Sequence, residues 1–297
     1  MGFLFVDRIL ELEPGKRAVG IKHVTPSDHY LTRGRSGAPA LISAIIGETI
    51  GQLAAWNIMQ ANGFTKRPVA GVVHEVNILD EAYVGDTLLL EADIDSSDEA
   101  AINYHGVAKV GGREIFKLEN AIGPILPMTD FIDEQSAKTQ FNNIYHPGAV
   151  PDTPCSISQL NLRDYPPCRH ADFDHILAWE KGKQVVAQKN VSLMAPYFAD
   201  HFPLKPVLPL TILLMCKVAL AYRFLAELAP MQYLNRFVLR AMRRVKMNDF
   251  VSPGSTVITT MKLKEYDEQQ AIFQFISEVN GKRICVAFAD FAIQESI

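Results

Sequence analysis

Apolar positions along this chain fall into two kinds of run, and the same succession of runs occurs twice. Residues 40–61 and 208–228 are apolar at nearly every position. That pattern predicts two long helices enclosed by other elements rather than lying on a surface. Glu48 and Gln52 interrupt the first run, and Lys217 and Arg223 the second, which suits core helices better than membrane spans. Each run follows a proline (Pro39, Pro206), and the first stops at Asn62-Gly63. Alternating apolar and polar segments come next, at 74–80, 86–94, 102–110 and 113–122, then at 240–247, 255–264, 270–279 and 282–293. These read as strands, with Gly111-Gly112 and Asn280-Gly281 marking tight hairpins. Ahead of each helix a strand pair turns at Pro14-Gly15 or Lys181-Gly182, where glycine supplies the backbone freedom.

The succession is an internal repeat. DRILELEPGKRAVGIKHVTPSDHY at 7–30 lies against DHILAWEKGKQVVAQKNVSLMAPY at 174–197, without a gap, at an offset of 167. VGDT at 84–87 then meets PGST at 253–256, and VGGR at 110–113 meets VNGK at 279–282, at an offset of 169. One long helix wrapped by an antiparallel sheet is the hot-dog arrangement. The expected fold class is therefore α+β, a double hot-dog with two antiparallel sheets, each around a long central helix. The expected domains are 1–128 and 171–297. Residues 129–170 form a polar connector containing Pro147, Pro151, Pro154, Pro166 and Pro167, with room for one short helix. A connector of that length lets the copies pack side by side.

Composition narrows the function classes. Apolar residues make up 48% of the 297 positions, charged residues 21%, and the net charge is -4. That is a globular mix, and without a basic tract it excludes a nucleic-acid or anionic-membrane surface. The apolar run Phe3–Val6 is cut by Asp7 and Arg8, too short for a targeting segment, so a cytoplasmic protein is expected. Cys155, Cys168, Cys216 and Cys285 are scattered, as reduced thiols would be, and no metal-ligand spacing occurs. No cofactor, metal or membrane insertion is expected. His23, His29, His74, His105, His146, His170 and His175 fit no constellation.

The second copy contains YFADHFPLKPVLPLTILL at 197–214; the first contains FLFVDRILELEPGK at 3–16 and GETIGQLAAW at 47–56. The 197–214 segment closely resembles the active-site stretch of bacterial 3-hydroxyacyl-acyl carrier protein dehydratases, in which a catalytic His opens an HFPGxPVMPG-type run. The other two are similar to that family's first strands and to the helix around its catalytic acid. In the family, His and acid stand 14 positions apart, and a site takes its His from one subunit and its acid from the neighbour. Here the pair is split. His201 is present in the second copy, where the acid's place holds Met215; Glu48 is present in the first, where the histidine's place holds Gly34. The repeat offset independently pairs Gly34 with His201 and Glu48 with Met215. The resemblance thus implies one complete site, His201 with Glu48, and one dead site, Gly34 with Met215.

Dehydrating a 3-hydroxyacyl thioester needs a base for the proton beside the carbonyl and an acid for the departing hydroxyl. A neutral histidine suits the first task, and a carboxyl desolvated on an apolar helix suits the second. The resemblance places the thioester's oxyanion donor at Ser43, through its backbone N–H, where the family has glycine. Gln52, one turn beyond Glu48, is expected to orient it or a water. Leu204 and Leu210 replace family glycines; Leu204 is expected to narrow the entrance and Leu210 to fall at the dead site. The implied partners are acyl carrier protein or coenzyme A thioesters, with assembly into a homo-oligomer of fused pairs. Alternatives remain open. Glu48 alone could activate water in a thioester hydrolase, or the chain could bind acyl groups without turnover. Glu48 could also be a core residue paired with Arg33 or Arg35. Arg240, Arg243, Arg244 and Lys246 read as a solvated face or as a contact for a carrier's phosphate.

Overall fold

The computed structural model describes residues 3–149, 172–199, 201–228 and 236–293. Most of the second half of the connector, with Cys155, Cys168 and His170, lies outside the described residues. The first half runs β1 (Arg8–Glu13), β2 (Arg17–His23), β3 (Leu31–Arg33), β4 (Pro39–Leu41), α1 (Ser43–Ala61), β5 (Lys66–Pro68), β6 (Val72–Ile78), β7 (Thr87–Ser97), β8 (Ala101–Val110) and β9 (Arg113–Pro127). A 3-10 turn and α2 (Glu134–Ile144) come next. The second half runs β10 (His175–Glu180), β11 (Gln184–Asn190), α3 (Leu210–Leu228), β12 (Phe237–Met247), β13 (Thr256–Tyr266), β14 (Gln270–Val279) and β15 (Lys282–Ile293).

A shift of 167 residues carries β1, β2 and α1 onto β10, β11 and α3 end for end, and a shift of 169 carries β7 and β8 onto β13 and β14. Irregularities repeat as well. The break in register at Ile9/Glu11 recurs at Ile176/Ala178, and that at Ile94/Ser96 recurs at Leu263/Glu265. A bulge re-aims the strand that carries it, so its recurrence means both copies bend their sheets at the same place. The β8–β9 and β14–β15 hairpins close at Gly111-Gly112 and Asn280-Gly281, whose four positive φ angles (56°, 81°, 51° and 76°) are those of a two-residue turn matched to strand twist.

The strand order is β1-β2-β7-β8-β9-β6-β12-β15-β14-β13-β11-β10, with β5 paired to β9. It reads the same from either end once equivalent strands are exchanged. The two expected sheets are therefore one continuous sheet, joined where β6 and β12 pair antiparallel, Val73 opposite Val245 and Asn77 opposite Ala241. Each half ends in an edge strand with unspent backbone donors and acceptors, and the two edges satisfy one another. Both long helices lie against this sheet. Ile45, Ile50 and Leu53 of α1 and Ile212, Leu213 and Leu220 of α3 are all within 1% of full burial. Sheet and helix approach closely at Gly106, where a Cβ would stand 2.3 Å from Ile50 Cγ2.

The connector begins as a folded element. Asp133 accepts a hydrogen bond from Ser136 N at 2.8 Å and caps α2, whose Phe141 ring meets Trp56 at 6.1 Å and Phe64 at 5.4 Å. Among the described residues no helix is long and apolar enough to cross a membrane.

Candidate active site

A cavity opens between α1, α3, β6 and β12, walled mainly by apolar side chains such as Val73, Val76, Leu214, Met242 and Val245. Ser43, Glu48, Gln52 and His201, the four residues singled out in the sequence, all line it. Glu48 and Gln52 lie one turn apart on α1, and Ser43 is its first residue, at the end where a helix leaves backbone N–H groups without intrahelical acceptors. His201 comes from the second half, between the 3-10 turn Pro196–Ala199 and α3.

Glu48 is held from both halves. Gln52 Nε2 donates to its Oε1 at 3.1 Å, and Thr211 Oγ1, on α3, donates to its Oε2 at 3.2 Å. Gln52 is fixed in turn, donating to Phe3 O at 3.0 Å and accepting from Phe5 N at 2.9 Å. Desolvation pushes the Glu48 carboxyl above its ordinary range, and the Gln52 and Thr211 hydrogen bonds and the charge of Arg67 oppose that rise. Arg33 and Arg35 do not pair with it; Arg35 holds Asp80 and Glu81 instead.

His201 Nδ1 lies 3.0 Å from Val207 O. A carbonyl can only accept, so Nδ1 carries the hydrogen and Nε2 carries the lone pair. Burial, with a smaller push from the Arg67 charge, lowers this histidine to about 4, so it is neutral at physiological pH. Its ring stacks on Phe202 at 4.2 Å and meets the edge of Phe3 at 5.1 Å.

The structure corrects two expectations. Leu210 lines this same cavity, because α1 and α3 pack side by side rather than serving separate sites. Leu204 is 64% exposed and is not part of the cavity wall, so it does not narrow the entrance. Gly34 and Met215 lie outside the wall as well. Met215 is core, and a Cβ on Gly34 would stand 2.7 Å from Tyr83 Cε1. In the basic cluster, Arg243 is paired with Asp290.

Thr211, Tyr104 and Arg67 are cavity residues that the sequence did not single out. Thr211 follows a motif whose signal lies in its His and prolines. Tyr104 sits on an ordinary strand, where burial raises its phenol and keeps it protonated. Arg67 stands in a Lys-Arg-Pro stretch just after α1 that reads as a solvated turn, yet it faces the cavity. Its guanidinium lies 4.0 Å over the Phe202 ring and 5.5 Å from that of Phe131, and burial lowers it to about 10.

The sequence and fold have known counterparts. A family model described as FabA-like domain matches residues 171–287. The 3-hydroxyacyl-[acyl-carrier-protein] dehydratase FabZ of Caldanaerobacter subterraneus subsp. tengcongensis is 37% identical over 110 residues, which is 37% of this chain and 78% of that protein. Among solved structures, the dehydratase domain of PpsC from Mycobacterium tuberculosis, in complex with C12:1-CoA, superposes with a TM-score of 0.56 at 12% identity, covering 97% of this chain and 98% of that one. An acyl-ACP thioesterase from Bacteroides thetaiotaomicron gives 0.51 at 11% identity, covering 93% and 97%. At such identities these two structures speak for the hot-dog fold alone, whereas the sequence relatives speak for the family. The chain belongs to the FabZ-type 3-hydroxyacyl-acyl carrier protein dehydratase family and is a 3-hydroxyacyl-thioester dehydratase.

Proposed function

We propose that the chain removes water from 3-hydroxyacyl thioesters, carried on acyl carrier protein or coenzyme A, to give trans-2-enoyl thioesters, with His201 as base and Glu48 as acid. His201 Nε2 takes the proton from the carbon beside the carbonyl. The thioester oxygen gathers charge and is met by the first-turn N–H groups of α1 at Ser43. Glu48 gives its proton to the departing hydroxyl, and water leaves. The resulting Glu48 carboxylate is then stabilised by Gln52, Thr211 and Arg67, the same groups that oppose its raised pKa.

One observation carries this reading: side chains from opposite halves of the chain line a single cavity, the histidine neutral and the carboxyl biased toward its acid form. Paired groups whose environments push their protonation apart are the ordinary sign of a divided acid–base task. The organisation follows from the same reading. A double hot-dog has a first domain over 1–128 that supplies Glu48, a connector over 129–170, and a second domain over 171–297 that supplies His201. Incubation with a 3-hydroxybutyryl thioester tests the proposal. Enoyl absorbance should rise without release of free thiol, and thiol release without enoyl would replace the proposal with hydrolysis.

A further inference from the structure

The Arg67 Nε–H is buried and donates to nothing, and among the described residues the guanidinium forms no side-chain ion pair. Glu48 forms no direct ion pair with it: the Glu48 oxygens accept from Gln52 and Thr211, and the Arg67 charge acts on the carboxyl only through space. What holds Arg67 is aromatic: its carbon stands 4.0 Å over the Phe202 ring. Stacking of this kind uses the face of the guanidinium plane and leaves the in-plane N–H fork unspent. Arg67 is half-buried, with its Nε enclosed and without an acceptor in a mainly apolar cavity wall, and such a group persists where a ligand supplies the missing acceptor.

We infer that Arg67 is a carboxylate-recognition subsite within the acyl cavity, so that the preferred 3-hydroxyacyl thioester carries a carboxylate a short distance beyond its hydroxyl-bearing carbon. This deepens the dehydration reading and rests on it. Two observations set the ligand's place. Arg67 leans on the residue that follows His201, and its charge is felt by both Glu48 and His201. It therefore stands beside the reacting carbons. The phosphate of a carrier lies the length of a pantetheine arm from the thioester and does not belong there. A carboxylate on the acyl chain does, and its two oxygens match the guanidinium fork.

The test compares N-acetylcysteamine thioesters, which lack the carrier's phosphate, of 3-hydroxyglutarate and 3-hydroxyhexanoate. The wild-type enzyme should favour the carboxylate substrate in kcat/KM by about ten- to hundredfold, the range of a charge-assisted hydrogen bond. Arg67→Met should erase that ratio, and Arg67→Lys should keep only part of it. Preference for the neutral substrate in the wild type, or an unchanged ratio in Arg67→Met, overturns the inference. So does an equal loss on both substrates with a displaced pH profile, which would make Arg67 a positioning residue for Glu48. If Arg67→Met weakens coenzyme A thioesters but not those of N-acetylcysteamine, the guanidinium serves a carrier phosphate and the inference is likewise overturned. Calorimetric binding of the unreactive glutaryl and pentanoyl thioesters separates the two readings. Absence of enoyl product from every substrate ends the dehydration mechanism, while the glutaryl preference and its loss in Arg67→Met still decide the subsite.

Discussion

Helices α1 and α3 occupy equivalent places in the two halves and differ at the positions proposed to carry chemistry. Glu48, Thr49, Gln52 and Asn57 of α1 correspond to Met215, Cys216, Ala219 and Phe224 of α3. Asn57 anchors the β1–β2 hairpin, accepting from Gly15 N at 2.7 Å and donating to Glu13 O and Arg17 O at 2.9 and 2.8 Å. Phe224 secures the equivalent hairpin without a hydrogen bond, packing against Trp179 at 5.4 Å. The same mechanical task is thus solved once by an amide bonded to the hairpin backbone and once by ring packing, with Trp179 Nε1 also donating to Glu227 of α3 at 2.9 Å. The polar groups of the proposed site follow the same division. Helix α1 carries the proposed acid, Glu48, and α3 lends it a single hydroxyl, Thr211. A duplicated fold keeps its backbone under the common demand for packing, while each copy is free to lose the half of the site that the other retains.

The sharpest way to break this comparison is to remove the retained halves. His201→Ala and Glu48→Gln should each lower kcat by about 10²–10⁴-fold, the usual contribution of a positioned acid or base, while circular dichroism shows the fold persisting. The lost halves should behave in the opposite way. Met215→Ala should cost about 2–5 kcal/mol in denaturant unfolding, as deletion of a buried side chain does, and leave turnover per folded molecule unchanged. Gly34→Ala should cost about 1–3 kcal/mol through its clash with Tyr83, again without a kinetic effect. Thr211→Val removes a bond that favours the Glu48 carboxylate, so the carboxyl should rise further and the alkaline limb of the rate profile should move to higher pH. The accompanying change in rate corresponds to about 0.5–1.5 kcal/mol.

Stability should carry the mark of His201 as well. Its folded value, about 4, lies below the ordinary 6.5, so between these limits the unfolded chain binds more protons than the folded one. The contribution is complete above pH 6.5 and is lost as pH falls toward 4. Unfolding free energies measured across that window should fall with acidification, and the His201→Ala variant should show a shallower slope. Leu204→Gly marks the low end of the scale. It restores the family's glycine at an exposed position and should change stability within about 0.5 kcal/mol.

Much of this was legible in the sequence, for particular reasons. Helix extents follow from long apolar runs, and the end-for-end repeat of α1 in α3 preserves the offset of 167 read from residues alone. Hairpins at Gly111-Gly112 and Asn280-Gly281 are written in residues that tolerate positive φ. His201 and Glu48 were legible because their segments resemble those of a known family, and the repeat offset showed each standing where the other copy has lost the group. Less local features were not legible. The pairing of β6 with β12 depends on two edges meeting in space, and β3 to β5 are too short to show a period. Arg67 and Thr211 have neighbours in sequence that say nothing of the cavity they share. Leu210 was assigned to the wrong place because two sites were assumed to be separate, whereas α3 contributes to the wall around Glu48.

The central claim is that His201 and Glu48 act as one unit on one substrate. A double-mutant cycle measures this directly, through initial rates of enoyl formation by the wild type, His201→Ala, Glu48→Gln and the double variant. Groups that act together are strongly non-additive, so the double variant should be scarcely slower than either single one. A single variant that keeps the wild-type rate, or losses that simply multiply in the double variant, would contradict a shared site.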